Sequence, residues 1–184
     1  MERENLYFMA LIPNEQICNE IDAFKRDLAR RFESTQALKV VPHITLKMPF
    51  KLPSSRHFDL LQWLRCLSLD ITQFNIELKN FGAFPNRDHP VIYVNPITTI
   101  PLLSLQHDLI RRFWISFPKS VSLNRELKFT PHITVAYRDL RPEKFVEAWK
   151  IYDTEKYAAI FDVNNFHLLQ HNTKKWNICD TYNF

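Results

Sequence analysis

Glycine is nearly absent from this 184-residue chain, which contains Gly82 and no other glycine. Loops that bind phosphate through backbone N–H groups need several glycines, so the sequence excludes a Walker-type loop and a dinucleotide-binding fingerprint. If the protein binds a phosphate group, side chains must supply most of the contacts.

Cysteine is also scarce. Cys18, Cys66 and Cys179 form no Cys-x-x-Cys pair, which argues against a structural zinc site or a redox pair.

Long apolar runs and a strong charge imbalance are missing as well. No stretch is long enough to cross a bilayer, and the charged start, residues 1–5, leads into only a short apolar run, so no signal peptide is predicted. We therefore expect a cytoplasmic protein with reduced thiols and no membrane association. The formal net charge of +4 is compatible with an anionic partner without requiring one.

The length suits a single domain, or two small lobes that share a core. Hydrophobic residues make up 46% and charged residues 24% of the chain, which is ordinary for a globular protein. Apolar periodicity predicts alternating strands and helices. The predicted strands cover residues 6–12, 40–46, 71–81, 91–94, 129–137, 159–169 and 174–179. The predicted helices cover residues 15–32, 60–67, 102–113 and 142–152. The charged positions of the first helix, including Lys25, are assigned to a solvated face.

One segment of the sequence occurs twice. Residues 39–46 read Lys-Val-Val-Pro-His-Ile-Thr-Leu, and residues 128–135 read Lys-Phe-Thr-Pro-His-Ile-Thr-Val. Lysine, proline, histidine, isoleucine and threonine recur in the same positions, and both segments end in an aliphatic residue. Because chance would rarely match so many positions, we interpret the two segments as an internal structural repeat.

Each copy of the repeat has the alternation of a β-strand. His43 and Thr45 share one face of the first strand, and His132 and Thr134 share one face of the second, with aliphatic residues on the opposite faces. We expect the aliphatic faces to pack on helices. If an approximate twofold axis relates the two strands, two histidines and two threonines point into one groove.

These side chains suit phosphodiester cleavage. A neutral imidazole can activate water or a hydroxyl group, and a protonated one can donate to the departing oxygen, because histidine titrates near neutrality. Threonine hydroxyls can hydrogen-bond to non-bridging phosphate oxygens, where negative charge increases in the transition state. This chemistry needs no metal.

Other interpretations of the same residues stay open at this point. His43 and His132 could be zinc ligands, although no third ligand lies at short spacing. The groove could bind a nucleotide or an RNA end without turning it over. The basic helix around residues 25–31 could instead serve a structural or protein-binding role.

The paired His-x-Thr-x motifs, at residues 43–46 and 132–135, resemble those of the 2H phosphoesterase superfamily, specifically its 2′-5′ RNA ligase-like branch. The opening strand that ends at Pro13 and the segment 81–85 before a strand fit the same resemblance. It implies an α+β fold: two pseudo-symmetric lobes of antiparallel strands, backed by helices, around a central groove. Residues 1–184 would form this single bilobal domain.

The resemblance also implies an activity. The expected enzyme is a metal-independent phosphoesterase without a cofactor, acting on RNA-type 2′,3′-cyclic phosphates or 2′-5′ phosphodiester linkages. His132 would be the base that activates water and His43 the acid for the leaving oxygen, while Thr45 and Thr134 would hold the phosphate. The expected partners are RNA ends or nucleotides that carry a cyclic phosphate or a 2′-5′ linkage, and a monomer is expected.

Residues near the motifs are candidates for substrate binding. Lys47 follows the first motif, and alternation places it on the same face as the histidine, where it could attract phosphate. Tyr137 occupies the position in which relatives often carry arginine, with Arg138 next to it. Phe50, Phe84 and Tyr137 are candidates for stacking on a base.

Overall fold

The computed structural model describes residues 2–184. The chain forms two four-stranded antiparallel sheets. The first sheet contains, in spatial order, β2 (Ile44–Pro53), β1 (Glu4–Leu11), β7 (Asn165–His171) and β8 (Trp176–Asn183). The second contains β5 (Ile133–Ala136), β4 (Val91–Pro96), β3 (Phe74–Phe84) and β6 (Ala158–Val163). Each repeated motif therefore leads into an edge strand, β2 in one sheet and β5 in the other.

Helices connect and cover the sheets. They are α1 (Glu15–Phe32), α2 (His57–Arg65), α3 (Ile100–Ser116), α4 (Leu123–Glu126) and α5 (Pro142–Tyr152). The predicted α+β class and its antiparallel strands are confirmed. Helix α1 follows a strand of the first sheet yet contacts β5 of the second, and α3 follows a strand of the second sheet yet contacts β2 of the first. Because each of these helices packs on the motif strand of the other sheet, both motif strands lie at the junction of the two sheets.

Helix α1 forms where the sequence predicts it. The side chain of Asn14 accepts a hydrogen bond from the backbone N–H of Ile17 at 3.0 Å and caps the first turn. The apolar positions of α1 recur at helical spacing and are buried, from Ile17 through Ile21 and Leu28 to Phe32. Buried side chains from both sheets form one continuous core, while the organisation as a single bilobal domain stays a prediction.

Several strand boundaries differ from the predicted ones. Residues 36–39 form a short 3₁₀ helix, so β2 begins at Ile44 and continues past Pro49 to Pro53. Proline is tolerated there because β2 is an edge strand, in which its missing N–H need not serve a second neighbour. The predicted strand 159–169 is two strands, β6 and β7, which belong to different sheets and meet at Asn164.

A bulge in β2 overturns the predicted position of Lys47. Ala10 pairs with Thr45 and the preceding Met9 pairs with Lys47, so β2 contains an extra residue and its alternation shifts. Lys47 is consequently only 1% exposed. Phe50 is only 4% exposed, because it lies on the same buried face of β2 as Ile44 and Leu46. Both lie in the core instead of facing the groove, which removes them from the set of substrate contacts.

The buried Lys47 forms an ion pair that links two distant segments. Its Nζ lies 3.0 Å from Oε1 of Glu126 in α4, and both side chains are almost fully buried. The ammonium group also lies 4.9 Å from the ring centre of Phe50. Burial lowers the pKa of Lys47, and the attraction of Glu126 opposes that shift.

Replacing Lys47 with methionine should destabilise the fold strongly. K47M leaves the Glu126 carboxylate buried and unpaired, which costs about 3–5 kcal/mol in the free energy of unfolding. Urea denaturation measures the loss. The matched control is K51M, because Lys51 pairs with Glu4 at 3.4 Å on the surface, where a pair contributes about 0–1 kcal/mol. Equal effects of the two substitutions would contradict the proposed importance of the buried pair.

Candidate active site

The two repeated motifs meet at one cavity. Its volume is about 270 Å³, and its wall includes His43, Thr45, His132 and Thr134. The aliphatic residues between and after them are buried in the core: Ile44, Leu46, Ile133 and Val135. The alternation predicted for the two motifs therefore occurs, and it brings both histidines and both threonines to the same space.

Both imidazole rings are oriented in the same way. Nδ1 of His43 lies 2.7 Å from the backbone carbonyl oxygen of Val41, and Nδ1 of His132 lies 2.8 Å from that of Thr130. A carbonyl oxygen can only accept, so Nδ1 carries the hydrogen in each ring. When the ring is neutral, Nε2 is left as the nitrogen that can accept a proton.

Aromatic side chains support each ring. Phe8 packs on His43 with ring centres 4.9 Å apart, and Phe84 meets His132 edge-on at 5.1 Å. Tyr93 contacts His132 as well, at 5.6 Å. The only glycine of the chain makes room for this tyrosine, since a Cβ at Gly82 would overlap the Tyr93 ring. Phe84, predicted to stack on a base, thus contacts a histidine of the site.

The surroundings of the rings favour their neutral forms. Burial is the main cause that lowers the pKa of His43 to about 4, and repulsion from Lys25 and from the protonated form of His132 lowers it further. Burial also lowers the pKa of His132. Both imidazoles are therefore neutral near pH 7 when the cavity holds no anion.

Lys25 belongs to the cavity wall, contrary to its predicted place on the solvated face of α1. Its side chain is 2% exposed, and Nζ donates to the carbonyl oxygen of Val40 at 2.8 Å and pairs with Asp22 at 2.9 Å. The sequence contained a signal for this placement. Lys25 follows Ile21 by four residues and precedes Leu28 by three, which is the spacing of the apolar face.

The other end of the cavity is formed by the turn after β5. Tyr137 and Arg138 line the wall there, and Arg138 has a left-handed backbone with φ of 58°. The next residue, Asp139, fixes this turn to the segment after α1. Its carboxylate accepts hydrogen bonds of 2.7–3.1 Å from Ser34 and Thr35 and from the backbone N–H of Gln36.

Trp176, at the start of β8, also lines the cavity, although no sequence signal separated it from the core tryptophans. Of the described residues, no aspartate or glutamate belongs to the wall. Among residues 2–184, no three histidine, cysteine or acidic side chains are grouped as metal ligands would be. Within the same range, no helix combines the length and apolar character needed to cross a membrane.

Proteins of similar sequence are phosphoesterases by name. Two of them carry the name "Putative phosphoesterase". The protein of Bacillus cytotoxicus is 27% identical over 156 residues, covering 84% of this chain and 85% of its own. The protein of a Geobacillus species is 26% identical over 178 residues, covering 96% of this chain and 94% of its own.

Solved structures with a similar fold cover almost the whole chain. Escherichia coli LigT complexed with 3′-AMP superimposes with a TM-score of 0.72 at 15% identity, covering 99% of each chain. TT0787 of Thermus thermophilus superimposes with a TM-score of 0.68 at 17% identity, covering 97% of each chain. At these identities the likeness establishes the shared fold.

The family comparison agrees with the paired motifs. The sequence profile of the 2′-5′ RNA ligase superfamily matches residues 13–175, a range that contains both His-x-Thr-x motifs. The resemblance inferred from those motifs is thereby confirmed, and the chain belongs to the 2′-5′ RNA ligase superfamily.

Proposed function

We propose that the protein is a phosphoesterase that hydrolyses RNA-type 2′,3′-cyclic phosphates or 2′-5′ phosphodiester linkages, with His43 and His132 as the acid–base pair. The main support for this proposal is that the two imidazoles are oriented in the same way. Each ring donates through Nδ1 to a carbonyl oxygen two residues earlier. Both rings therefore keep Nε2 for proton exchange with a group bound in their common cavity.

The character of the cavity and of the relatives supports the same function. The wall contains the exposed Arg138 and no carboxylate among its described residues, which favours an anionic ligand. The relatives' names support a phosphoesterase. LigT, which has this fold, has been crystallised with 3′-AMP and with phosphate, which supports a nucleotide phosphate as the ligand here.

The proposed reaction is a displacement at phosphorus. Hydroxyl groups of Thr45 and Thr134 donate to the non-bridging oxygens of the cyclic phosphate. His132 takes a proton from water through Nε2 as the water oxygen bonds to phosphorus. The bond from phosphorus to the 3′ oxygen breaks, and protonated His43 gives its proton to that oxygen. The product carries a 2′-phosphate, and proton exchange with solvent restores both rings.

The substrate itself must help to protonate the acid. With a pKa of about 4 in the ligand-free cavity, His43 carries almost no charge near neutral pH. A bound phosphate brings a negative charge next to the ring, which raises the imidazole pKa. Because none of the described wall residues is a carboxylate that could do this, proton loading of the acid is coupled to binding of the anion.

Removing either imidazole should abolish most of the activity. H43A and H132A should each lower kcat for hydrolysis of 2′,3′-cyclic AMP by about 10²–10⁴-fold, because each loses one proton-transfer group. Chromatography of the product measures the rate, and circular dichroism checks that the fold survives. The matched control is H89A, since His89 is exposed and lies outside the cavity wall. Full activity in H43A or H132A would refute the mechanism, and binding without turnover in the wild type would indicate a binding module.

The pH dependence should reflect the lowered pKa values of both histidines. The free enzyme needs one protonated ring, and both rings lose their protons below the ordinary value of 6.5. The maximum of kcat/KM should therefore lie below pH 6.5, with a decline as the pH rises. The maximum of kcat should lie at higher pH, because bound phosphate raises the pKa in the complex. Initial rates across the acid and neutral range test this, and a kcat/KM maximum at alkaline pH would contradict it.

A further inference from the structure

A second cavity adjoins the active site and is here named the basic cleft. It has a volume of about 230 Å³ and shares four wall residues with the first cavity: Val40, Tyr137, Arg138 and Trp176. The two cavities are thus adjacent, within reach of one ligand that is longer than a single nucleotide.

Several positive charges line the basic cleft. Its wall contains Lys39, Arg138, Lys174 and Lys175, and none of its described residues is an aspartate or glutamate. Within the described part of the chain, none of these four cations forms an ion pair with a carboxylate. Unneutralised cations from three separate segments therefore surround one space, which favours binding of an anion.

The segments that carry these cations are held in defined conformations. In the turn between β7 and β8, the side chain of Asn172 accepts from the backbone N–H groups of Lys174 and Lys175 at 3.2 and 2.9 Å. The backbone N–H of Asn172 donates to the carbonyl oxygen of Lys175 at 3.0 Å. The backbone at Arg138 is held by the neighbouring Asp139, whose carboxylate accepts from the N–H groups of Thr35 and Gln36. The backbone that carries these cations is therefore held at the same edge of the active site.

Trp176 provides an aromatic surface between the histidines and the cations, along the wall that both cavities share. Trp176 packs edge-on against Phe8, which supports His43, with ring centres 4.5 Å apart, and it lies 5.0 Å from the ring of His171. It is only partly buried and borders both cavities. Aromatic rings next to a row of cations are the arrangement with which proteins bind single-stranded nucleic acid.

We propose that the basic cleft is a second phosphate subsite, which binds the backbone phosphodiester next to the reacting phosphate of an oligonucleotide end. This inference rests on the proposed function and adds a preference to it. A 2′,3′-cyclic phosphate at the end of an oligonucleotide is preferred over the same group on a mononucleotide, because the mononucleotide has no second phosphate to place in the cleft.

Kinetics with paired substrates test the subsite. The substrates are adenosine 2′,3′-cyclic phosphate and a five-nucleotide RNA that ends in the same group. We expect kcat/KM of the wild type to be higher for the RNA. In K174Q/K175Q the ratio of the two kcat/KM values should fall roughly tenfold at low salt, because two phosphate-binding cations are lost. The matched control is K150Q/K156Q, which removes two exposed lysines outside both cavities and should leave the ratio unchanged.

A binding measurement separates failure of the subsite from failure of the proposed reaction. The probe is the same five-nucleotide RNA with a terminal 3′-phosphate, titrated at several salt concentrations. Loss of the contact to one backbone phosphate should lower the slope of log K against log salt by about 0.7 in K174Q/K175Q. Equal ratios and equal slopes in wild type and K174Q/K175Q would overturn the subsite, even if hydrolysis occurs. A wild type that binds the RNA with the expected slope change but hydrolyses neither substrate would overturn the proposed reaction alone.

Discussion

The hydrogen bond from each imidazole to the carbonyl oxygen two residues earlier determines what the site can do. It fixes the tautomer of His43 and of His132, and it leaves the same nitrogen of each ring for chemistry. The bond is available because each histidine stands immediately before an edge strand. The carbonyl groups of Val41 and Thr130 are not engaged in a sheet ladder there, so they can accept from a side chain.

The second requirement is that two such histidines face one another across the junction of two sheets. The helices provide this placement, because α1 contacts the motif strand of the second sheet and α3 contacts that of the first. Asp139 adds a direct connection, since its carboxylate binds the segment after α1 through Thr35 and Gln36. The distance between the motifs therefore depends on α1 and α3, each of which packs on the motif strand of the other sheet. Neither sheet could position the two histidines by itself.

The sequence predicted which side chains share a face within each motif, because period-two alternation needs no tertiary information over four residues, and the repeat predicted that the two motifs meet. The same reasoning failed at Lys47, where bulges beside Met9 shift the alternation and an ion pair with Glu126 satisfies the buried charge. Bulges depend on the neighbouring strand, so the sequence of β2 cannot reveal them.

Lys25 is the opposite case. Its spacing marked the apolar face of α1, but its charge was given more weight than its position. The basic cleft escaped prediction because it combines three distant segments.

The buried polar groups that α1 and α3 contribute near the motifs differ in charge. Lys25 of α1 donates to Val40, just before the first motif, and carries a positive charge that lowers the pKa of His43. Helix α3 instead contributes Gln106, a neutral amide that donates to the carbonyl oxygens of Leu46 and Glu126. Acid–base catalysis needs two groups whose environments separate their proton affinities. With the order that the resemblance implies, His43 must act as the acid although Lys25 opposes its protonation, so the negative charge of the bound phosphate must act mainly on that ring.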